Sequence, residues 1–447
     1  KTLERHTTLH TDFDTDVIIV GGGFAGVSTA RELNLLGFRT LLLEARDRLG
    51  GRTWTKPVWG TNLEMGGTWF HWIQPHAWSE ISRYGIELKE SPAPKVAYWM
   101  RDGKPQKGTS DDLDRMFEAG SALVADSEEC FPRPLDPMFS KQLAEFDSMS
   151  VADRFEKLGL DPDAYEVNKA LWNMFFMGSL EEGGLATALR MNALSSNNYQ
   201  MTYWDTTTRF KLKTGTKSLL EGILSDAIRN ELRLSSPVVK VEHEQGSVRV
   251  TVQDGTQFTA RAVVMALPVN VFKNITFEPA LSELKDEMFQ EGHTAKGYKF
   301  WALFKGEIEP FQALASEDYP VSYAKCEEVV DGNTVVVGFG VNGEKLDPTD
   351  KEQMKQALLQ WFPDQEILDT VAVNWEKEDY TLGTYMMLKK GQLTRLMDEL
   401  QRPEHGLHIA GSDVAVGWNG FIDGAIQSGI MVGRQVAKSL GINRTER

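Results

Sequence analysis

The sequence predicts a mixed α/β (α+β) fold in which one domain is assembled from separate parts of the chain. Three observations predict it. The N-terminal region alternates a strand, a glycine-rich turn, a helix and a strand; a middle region holds short strands; and the C-terminal region ends in a strand, a glycine-rich loop and a helix. These elements lie at 17–20, 25–36, 40–43, 238–242, 248–252, 263–266, 407–410 and about 422–440. Further strands are predicted at 297–304 and 334–341.

The length predicts two domains, because 447 residues exceed the usual size of one hydrophobic core. We expect the first domain to comprise residues 1–79, 212–290 and 400–447. The second domain is then interleaved with the first and comprises residues 80–211 and 291–399, with a helical part at 105–211.

The composition excludes several classes of protein. Lys and Arg number 48 against 64 Asp and Glu, so the net charge is −16 and no nucleic-acid surface is expected. No apolar run approaches the roughly 18 residues that span a bilayer. We therefore expect a soluble protein, and the sequence leaves a homodimer open.

Cysteine and histidine spacing predicts no metal site. Cys130 and Cys326 form no CxxC pair, and His71 and His76 match no metal-ligand spacing. Low cysteine usage favours a reducing, cytoplasmic compartment. The first residue is Lys1 and not Met, so a removed export signal and a periplasmic location also stay open.

The N-terminal turn carries a phosphate-binding pattern. Gly21, Gly23 and Gly26 form G-x-G-x-x-G between a predicted strand and a predicted helix. The first glycine permits a tight turn, the second lets the backbone approach a pyrophosphate, and the third lets helix pack on strand. Glu44 follows about 20 residues later, at the end of the second strand, where a carboxylate accepts hydrogen bonds from a ribose. An acid at this position disfavours a 2′-phosphate and therefore NADP.

Two further glycine pairs suit a second close approach of backbone to a cofactor. Arg46 and Arg52 flank Gly50-Gly51, and Gly66-Gly67 follows on. The glycine pattern by itself does not separate a nicotinamide from a flavin dinucleotide, whereas these pairs favour a flavin.

Five longer segments carry a resemblance to the flavin monoamine oxidase family. They are DVIIVGGGFAG, LLLEARDRLGGRTW, EMGGTWFHW, VVMALPVNV and AGSDVAVGWNGFIDGAIQSG, and they occur in the family's order over nearly the whole chain. Three others, TWFHWIQPHAW, FPRPLDPMF and LGTYMMLKKGQLTRL, are similar to the bacterial nicotine oxidoreductase and pseudooxynicotine amine oxidase branch. The resemblance implies a Rossmann-like FAD-binding domain with an interleaved substrate domain, as in p-hydroxybenzoate hydroxylase.

The resemblance also implies where FAD binds. The implied cofactor-binding residues are Gly21, Gly23, Phe24, Ala25, Gly26, Glu44, Ala45, Arg46, Gly50, Gly51, Arg52, Gly66, Gly67, Thr68, Trp69, Val239, Gly411, Ser412, Asp413 and Ile422. Some family members attach the flavin through a cysteine just before a pocket aromatic. Thr384 stands at that position here, so we expect non-covalent FAD.

Three residues are the candidates for catalysis. The family holds a water at flavin N5 with a lysine, and the matching position is Lys299, with Lys296 as the alternative. Strand alternation places Lys299 on the same face as Trp301. The two rings that sandwich the amine correspond to Tyr385 and Phe421, where the family commonly has Tyr at the second position. Further pocket candidates are Trp69, Tyr203, Trp204 and Trp418.

These expectations combine into an amine oxidoreductase. A neutral amine, of the secondary or N-methyl kind found in nicotine and pseudooxynicotine, loses a hydride from its α-carbon to FAD. Electrons then pass to oxygen or to a cytochrome c-like acceptor. Three alternatives stay open: another flavin enzyme, such as a monoamine, polyamine or L-amino-acid oxidase or a desaturase; a non-catalytic FAD-binding protein; and an NAD dehydrogenase. Arg190 and Arg209 are the candidate carboxylate-binding residues of an amino-acid oxidase.

Overall fold

A five-stranded parallel sheet gathers strands from distant parts of the chain. In the computed structural model, which describes residues 13–199 and 205–441, the strand order across this sheet is Asn230–Arg233, Thr40–Leu43, Val17–Val20, Ala262–Met265 and Leu407–Ile409. The predicted strands at 17–20 and 40–43 are confirmed, and the other two differ from their predicted bounds by one residue. The four residues 17–20 are fully apolar and buried, as expected for a parallel strand covered on both faces.

Two long helices pack together on this sheet. They are Phe24–Leu35 and Ile422–Ser439, each within one residue of the predicted bounds. A glycine lets them approach closely: a Cβ at Gly429 would lie 2.4 Å from the carbonyl oxygen of Ala25. The Thr29 hydroxyl donates to the Gly429 carbonyl at 3.1 Å. The first and last parts of the chain are thereby joined into one core.

Residues 238–278 form a four-stranded sheet, and the parallel-sheet strand Ala262–Met265 lies within the same stretch of the chain. Its strands, in order, are Gln257–Ala260, Ser247–Val252, Val238–Glu244 and Thr276–Glu278. The strand Gln257–Ala260 was not predicted, although its residues alternate between exposed and buried. A turn at Asp254-Gly255 leads into this short strand before the chain returns to the parallel sheet.

A seven-stranded sheet forms the second large layer. Its strands, in order, are Ile367–Asn374, Tyr298–Phe304, Asn333–Gly340, Tyr323–Val330, Phe311–Leu314, Val96–Arg101 and Lys104–Thr109. The last strand corrects the start of the predicted helical part, because residues 105–109 pair with residues 96–100 in this sheet. Pairing of Lys299 with Phe339 on one side and Val373 on the other fixes the register of the second strand of the sheet. The residue bounds of the two domains stay a prediction.

The remaining elements connect these layers. Two small sheets comprise Thr55–Val58 with Thr61–Glu64, and Trp69–Phe70 with Phe210–Leu212 and Leu88–Glu90. The other helices are Pro75–Arg83, Ser110–Gly120, Ser127–Cys130, Leu143–Asp147, Val151–Phe155, Pro162–Phe176, Leu185–Leu194, Asp205–Thr208, Thr216–Ser225, Glu283–Glu291, Lys351–Leu359 and Gln392–Gln401. Within the described ranges, none of the helices combines the length and the apolar run that crossing a bilayer requires.

Candidate active site

One cavity of about 570 Å³ is lined by both large sheets. The ends of two parallel strands contribute Val20 and Leu43, and the seven-stranded sheet contributes Lys299, Tyr323 and Phe339. The segments that the sequence assigned to a cofactor and the segments that it assigned to catalysis therefore meet in a single space.

The glycine-rich turn forms one wall of this cavity, and its glycines act differently. Gly21 has a φ of +107°, which favours glycine. A Cβ at Gly26 would lie 1.9 Å from the Gly21 carbonyl oxygen, so Gly26 is required for the helix to pack on the turn. A Cβ at Gly23 would have only one neighbour, at 3.9 Å, and would enter the open cavity. The backbone at Gly23 is therefore open to close approach by a ligand.

Two helix N-termini face the cavity without a side-chain cap. The helix Phe24–Leu35 has Gly23 as its N-cap, and Ile422–Ser439 has Phe421, and neither N-cap side chain bonds the backbone. Gly23, Phe24, Phe421 and Ile422 all line the cavity. Unpaired backbone N–H groups at a helix start attract anions, so both ends suit phosphate or a negatively charged ring.

Glu44 is buried at the end of its strand, as predicted. Its Oε2 accepts from the Gly22 N–H at 2.7 Å, and its Oε1 accepts from the Arg46 N–H at 2.9 Å. Each carboxylate oxygen has a second lone pair, so the side chain can still accept hydrogen bonds from ribose hydroxyls.

Arg52 ties three segments of the chain together at the cavity wall. Its guanidinium donates to the Thr384 carbonyl at 2.9 Å, to Ser412 Oγ at 2.9 Å and to Asp413 Oδ1 at 2.5 Å. Burial opposes ionisation of Asp413, but the charge of Arg52 outweighs it and lowers the pKa of that carboxyl. Asp413 itself is not part of the cavity lining and acts on it through Arg52 and the Val269 N–H.

Lys299 is buried on the second strand of the seven-stranded sheet, with 2% of its surface exposed. Its Nζ donates to the Gly66 carbonyl at 2.8 Å and to Thr68 Oγ1. The rings of Trp69, Trp301 and Phe339 surround the ammonium with centroids at 5.0, 5.3 and 5.5 Å. Burial lowers the pKa of Lys299 to about 7.

The side chain of Lys296, the alternative lysine, is exposed and lies outside this cavity. The two lysines are only three positions apart, but Lys299 faces the interior and Lys296 faces solvent. The predicted alternation that puts Lys299 with Trp301 is confirmed by their shared contact.

Aromatic and thioether side chains line the same cavity as Lys299. Tyr385 and Phe421 are both half-buried and line the cavity, together with Met174 and Phe175 of a long helix. The Tyr385 hydroxyl donates to the Met174 carbonyl at 2.5 Å, which fixes the tilt of its ring. Among the described residues of this lining, Glu44 and Asp379 are the acidic side chains.

Most of the predicted cofactor residues do line the cavity. Those that do are Gly21, Gly23, Phe24, Ala25, Glu44, Ala45, Arg46, Gly50, Gly51, Arg52, Gly66, Gly67, Thr68, Trp69, Val239, Gly411, Ser412 and Ile422. Gly26 and Asp413 instead support the wall from behind.

Of the four further residues predicted to line the pocket, one lines the cavity, one does not, and two lie outside the described residues. Trp69 lines the cavity, but Trp418 does not: it is buried behind Phe421, with ring centroids 5.3 Å apart, and its Nε1 donates to the Ile73 carbonyl. Its position next to a pocket residue in sequence misled the prediction. Tyr203 and Trp204 lie outside the described residues.

Several lining residues were missed by the sequence analysis. Phe339 and Tyr323 are the main ones, stacked on each other with centroids 5.6 Å apart. The strand that carries Phe339 was predicted, but its register against Lys299 was not. Met174, Phe175 and Tyr298 belong to elements whose packing the local sequence does not reveal.

The family model for flavin-containing amine oxidoreductases matches residues 24–437. The chain belongs to the flavin-containing amine oxidoreductases. It is therefore an amine oxidoreductase with a flavin cofactor, and the α/β fold class and the family resemblance predicted from the sequence are confirmed.

Known oxidoreductases of this family cover almost the full chain. A pseudooxynicotine dehydrogenase of Pseudomonas sp is 35% identical over 98% of this chain and 89% of its own length. A nicotine dehydrogenase of Pseudomonas putida (strain DSM 28022 / S16) is 36% identical over 98% of this chain and 91% of its own length. The solved structure of cyclohexylamine oxidase from Brevibacterium oxydans IH-35A has the same fold, with a TM-score of 0.81 at 19% identity over 96% of this chain and 100% of its own.

Proposed function

We propose that this oxidoreductase takes a hydride from the α-carbon of a neutral amine held between Tyr385 and Phe421 in front of Lys299. The observation that carries the proposal is the buried Lys299, enclosed by three rings in the wall of a cavity that also contains an open glycine turn. A lysine on an interior strand of a sheet is seldom buried without a role.

FAD is the flavin that the cavity fits. The open backbone at Gly23 and the uncapped start of the helix at Phe24 suit a pyrophosphate, and Glu44 suits a ribose. The uncapped N-terminus at Ile422 suits the electron-rich end of the ring system. When bound, FAD supplies the hydride acceptor and passes the electrons on to the final acceptor.

The flavin is proposed to be non-covalent. None of the described residues that line the cavity is a cysteine or a histidine, and Thr384 occupies the position predicted for a cysteine attachment. Cys130 and Cys326 are both buried elsewhere, and burial raises the pKa of each thiol to about 11. Neither thiol is therefore suited to form a bond with the cofactor.

The protein's own contribution is to orient the amine and exclude water. The rings and methionines provide an apolar space, and neither Glu64 nor Glu327, the carboxylates that act on Lys299, lines it, so a protonated amine is not stabilised there. The amine therefore binds with its nitrogen lone pair free, which is the form that can stabilise the loss of hydride from the adjacent carbon. The resulting imine is hydrolysed by water to an aldehyde or ketone and a smaller amine.

An amine without a carboxylate is favoured over an amino acid. Arg190 donates to the carbonyls of Pro134 and Val416, and Arg209 pairs with Asp205 and Glu90. Neither arginine lines the cavity. The names of the two Pseudomonas relatives favour nicotine, pseudooxynicotine or a similar N-methyl amine as the substrate.

Anaerobic reduction tests this proposal. The purified yellow protein is mixed without oxygen with nicotine, pseudooxynicotine, arylalkylamines, polyamines and one amine paired with its α-carboxylated analogue. We expect an N-methyl amine to bleach the flavin fastest and the carboxylated analogue to react poorly. If none of the amines bleaches the flavin, the proposal is contradicted. Reoxidation of the bleached protein with oxygen and with cytochrome c then identifies the better acceptor.

A further inference from the structure

A cluster of charges is buried behind the cavity, on the same face of the seven-stranded sheet as Lys299. Glu327 is 1% exposed and lies at an irregularity in the pairing of its strand, between Cys326 and Glu328. Lys211 Nζ donates to Glu327 Oε2 at 2.5 Å, and Lys325 Nζ lies 3.6 Å from Oε1. One carboxylate is thus held between two ammonium groups.

The cluster is charged and costly to bury. Burial by itself opposes ionisation of Glu327, but the charges of Lys325 and Lys211 outweigh it and lower the pKa of this carboxyl. Two cations and one anion leave an excess positive charge in the interior. Buried ionic groups are a weak source of stability, because desolvation offsets their attraction, so stability alone does not explain the cluster.

A chain of contacts joins Glu327 to Lys299. The Ser91 hydroxyl donates to Glu327 Oε2 at 2.9 Å and accepts from Trp69 Nε1 at 3.2 Å. The Trp69 ring in turn lies 5.0 Å from Lys299 Nζ. Trp69 also pairs with Lys211 of the neighbouring strand. The same tryptophan is therefore in contact with Lys299 and linked to both Glu327 and Lys211.

The charges that face Lys299 come from three different elements. Glu64 and Glu327 favour its protonated form, and Lys211 disfavours it. Glu64 is occupied by hydrogen bonds from Thr55 and Thr216, so its position is fixed. Glu327 is therefore the acid whose loss would leave the charge of Lys211 uncompensated beside Lys299.

We propose that Glu327, acting with Lys211 and Ser91, is a positioning group that sets the orientation and the proton occupancy of Lys299. The carboxylate fixes Trp69 through Ser91 and balances the charge of Lys211. Removal of the carboxylate leaves Lys211 uncompensated and favours the neutral form of Lys299. The inference depends on the proposed function only in that Lys299 faces the flavin.

The absorbance of the bound, oxidised flavin provides a readout that does not depend on turnover. A charge appearing beside the ring shifts its visible band, so the spectrum is titrated between about pH 5 and 9. We expect a transition near pH 7 in the wild type, from the pKa of Lys299. The transition should vanish in Lys299→Met, which assigns it to this lysine.

Two variants test the inference in opposite directions. Glu327→Gln should move the transition down by roughly one pH unit, and Lys211→Met should move it up, because one removes an anion and the other a cation. The double variant should lie near the wild type. Glu328→Gln is the matched control: it removes a carboxylate one residue along, whose partners are Lys89 and Thr61, and should leave the transition in place.

The results separate this inference from the proposed function. If Glu327→Gln does not fold, the shift of the transition in Lys211→Met still tests the inference. This variant should fold, because Glu327 keeps Lys325 and Ser91 as partners. A transition that Lys299→Met abolishes but that neither Glu327→Gln nor Lys211→Met moves would overturn the inference, as would a wild type with no transition. Reduction of the wild-type flavin by amines is measured separately, so a failure of the proposed function leaves the titration readable.

Discussion

The Nζ atom of Lys299 lies 2.8 Å from the carbonyl oxygen of Gly66. This contact connects the second strand of the seven-stranded sheet to a glycine pair in the cavity wall. Gly66 has no room for a side chain, since a Cβ would lie 2.0 Å from the Arg52 carbonyl oxygen. The lysine and the wall of the proposed flavin site are therefore positioned by one another.

Substitution of Lys299 by Met should slow flavin reduction, flavin reoxidation or both by at least about tenfold, since a proton-carrying group beside the reacting centre typically contributes this much. Stopped-flow absorbance at the flavin band measures the two half-reactions separately. Lys296→Met is the matched control, because that side chain is exposed, and it should behave as the wild type. Near-wild-type rates for both steps in Lys299→Met would remove the lysine from the mechanism.

Two glycine substitutions in the same turn should have different effects. Gly23→Ala should leave the melting temperature of the flavin-free protein within about 2 °C and weaken FAD binding by about tenfold or more, because its methyl group enters the space for the pyrophosphate. Gly26→Ala should destabilise the fold itself by on the order of 3 kcal/mol, because its methyl group meets the Gly21 carbonyl. Thermal melts and flavin titration measure both. Equal FAD affinity in Gly23→Ala and the wild type would argue against a pyrophosphate at this turn.

The rings of Tyr385 and Phe421 should matter more than the Tyr385 hydroxyl. Phe421→Ala should lower kcat/KM by about tenfold, since an aromatic side chain packed on a bound ligand contributes on the order of 1 kcal/mol beyond the area that it buries. Phe421→Tyr and Tyr385→Phe keep the rings, so kcat/KM should fall less in these variants. Tyr385→Phe does remove the hydroxyl that donates to the Met174 carbonyl. Steady-state kinetics with one amine compares the set. A loss in Tyr385→Phe as large as in Phe421→Ala would assign the main role to the hydroxyl.

Acid precipitation should release all of the yellow colour into the supernatant. No described cysteine or histidine lines the cavity, and the buried thiols of Cys130 and Cys326 lie elsewhere. The absorbance of the pellet and of the supernatant measures the partition. Colour that stays with the washed pellet would show a covalent bond and contradict non-covalent FAD.

Stability should fall as the pH drops from about 6.5 to 4, partly because of His293. Burial lowers the pKa of this imidazole to about 4, against about 6.5 in an unfolded chain. The unfolded state therefore binds more protons than the native state in this window, so the native state is favoured above it and loses up to about 3 kcal/mol through it. Denaturant unfolding at several pH values measures the slope.

Substitution of His293 by Asn isolates the contribution of this imidazole to the pH dependence of stability. In His293→Asn the amide oxygen can replace Nδ1 as the acceptor for the Ala295 N–H, and the slope between these pH values should flatten. The exposed His405 is the control, and His405→Asn should leave the slope as in the wild type. An unchanged slope in His293→Asn would contradict this account.

The sequence by itself determined the strand–turn–helix–strand unit around Gly21, Gly23, Gly26 and Glu44. A tight turn and close backbone approach are demands on a few consecutive residues, so the local pattern reveals them. The apolar runs at 17–20 and 40–43 are local in the same sense, and their bounds agree with the structure. The family resemblance then extended this unit to an amine oxidoreductase.

Only the tertiary structure decided which side chains share the cavity. Lys299 is separated from Lys296 by orientation, Trp418 lies behind Phe421 instead of in the cavity, and Glu327 stands behind Trp69. These environments arise where strands from distant parts of the chain pair in one register. Burial and charge depend on that pairing, which no short stretch of sequence encodes, because each partner is specified elsewhere in the chain.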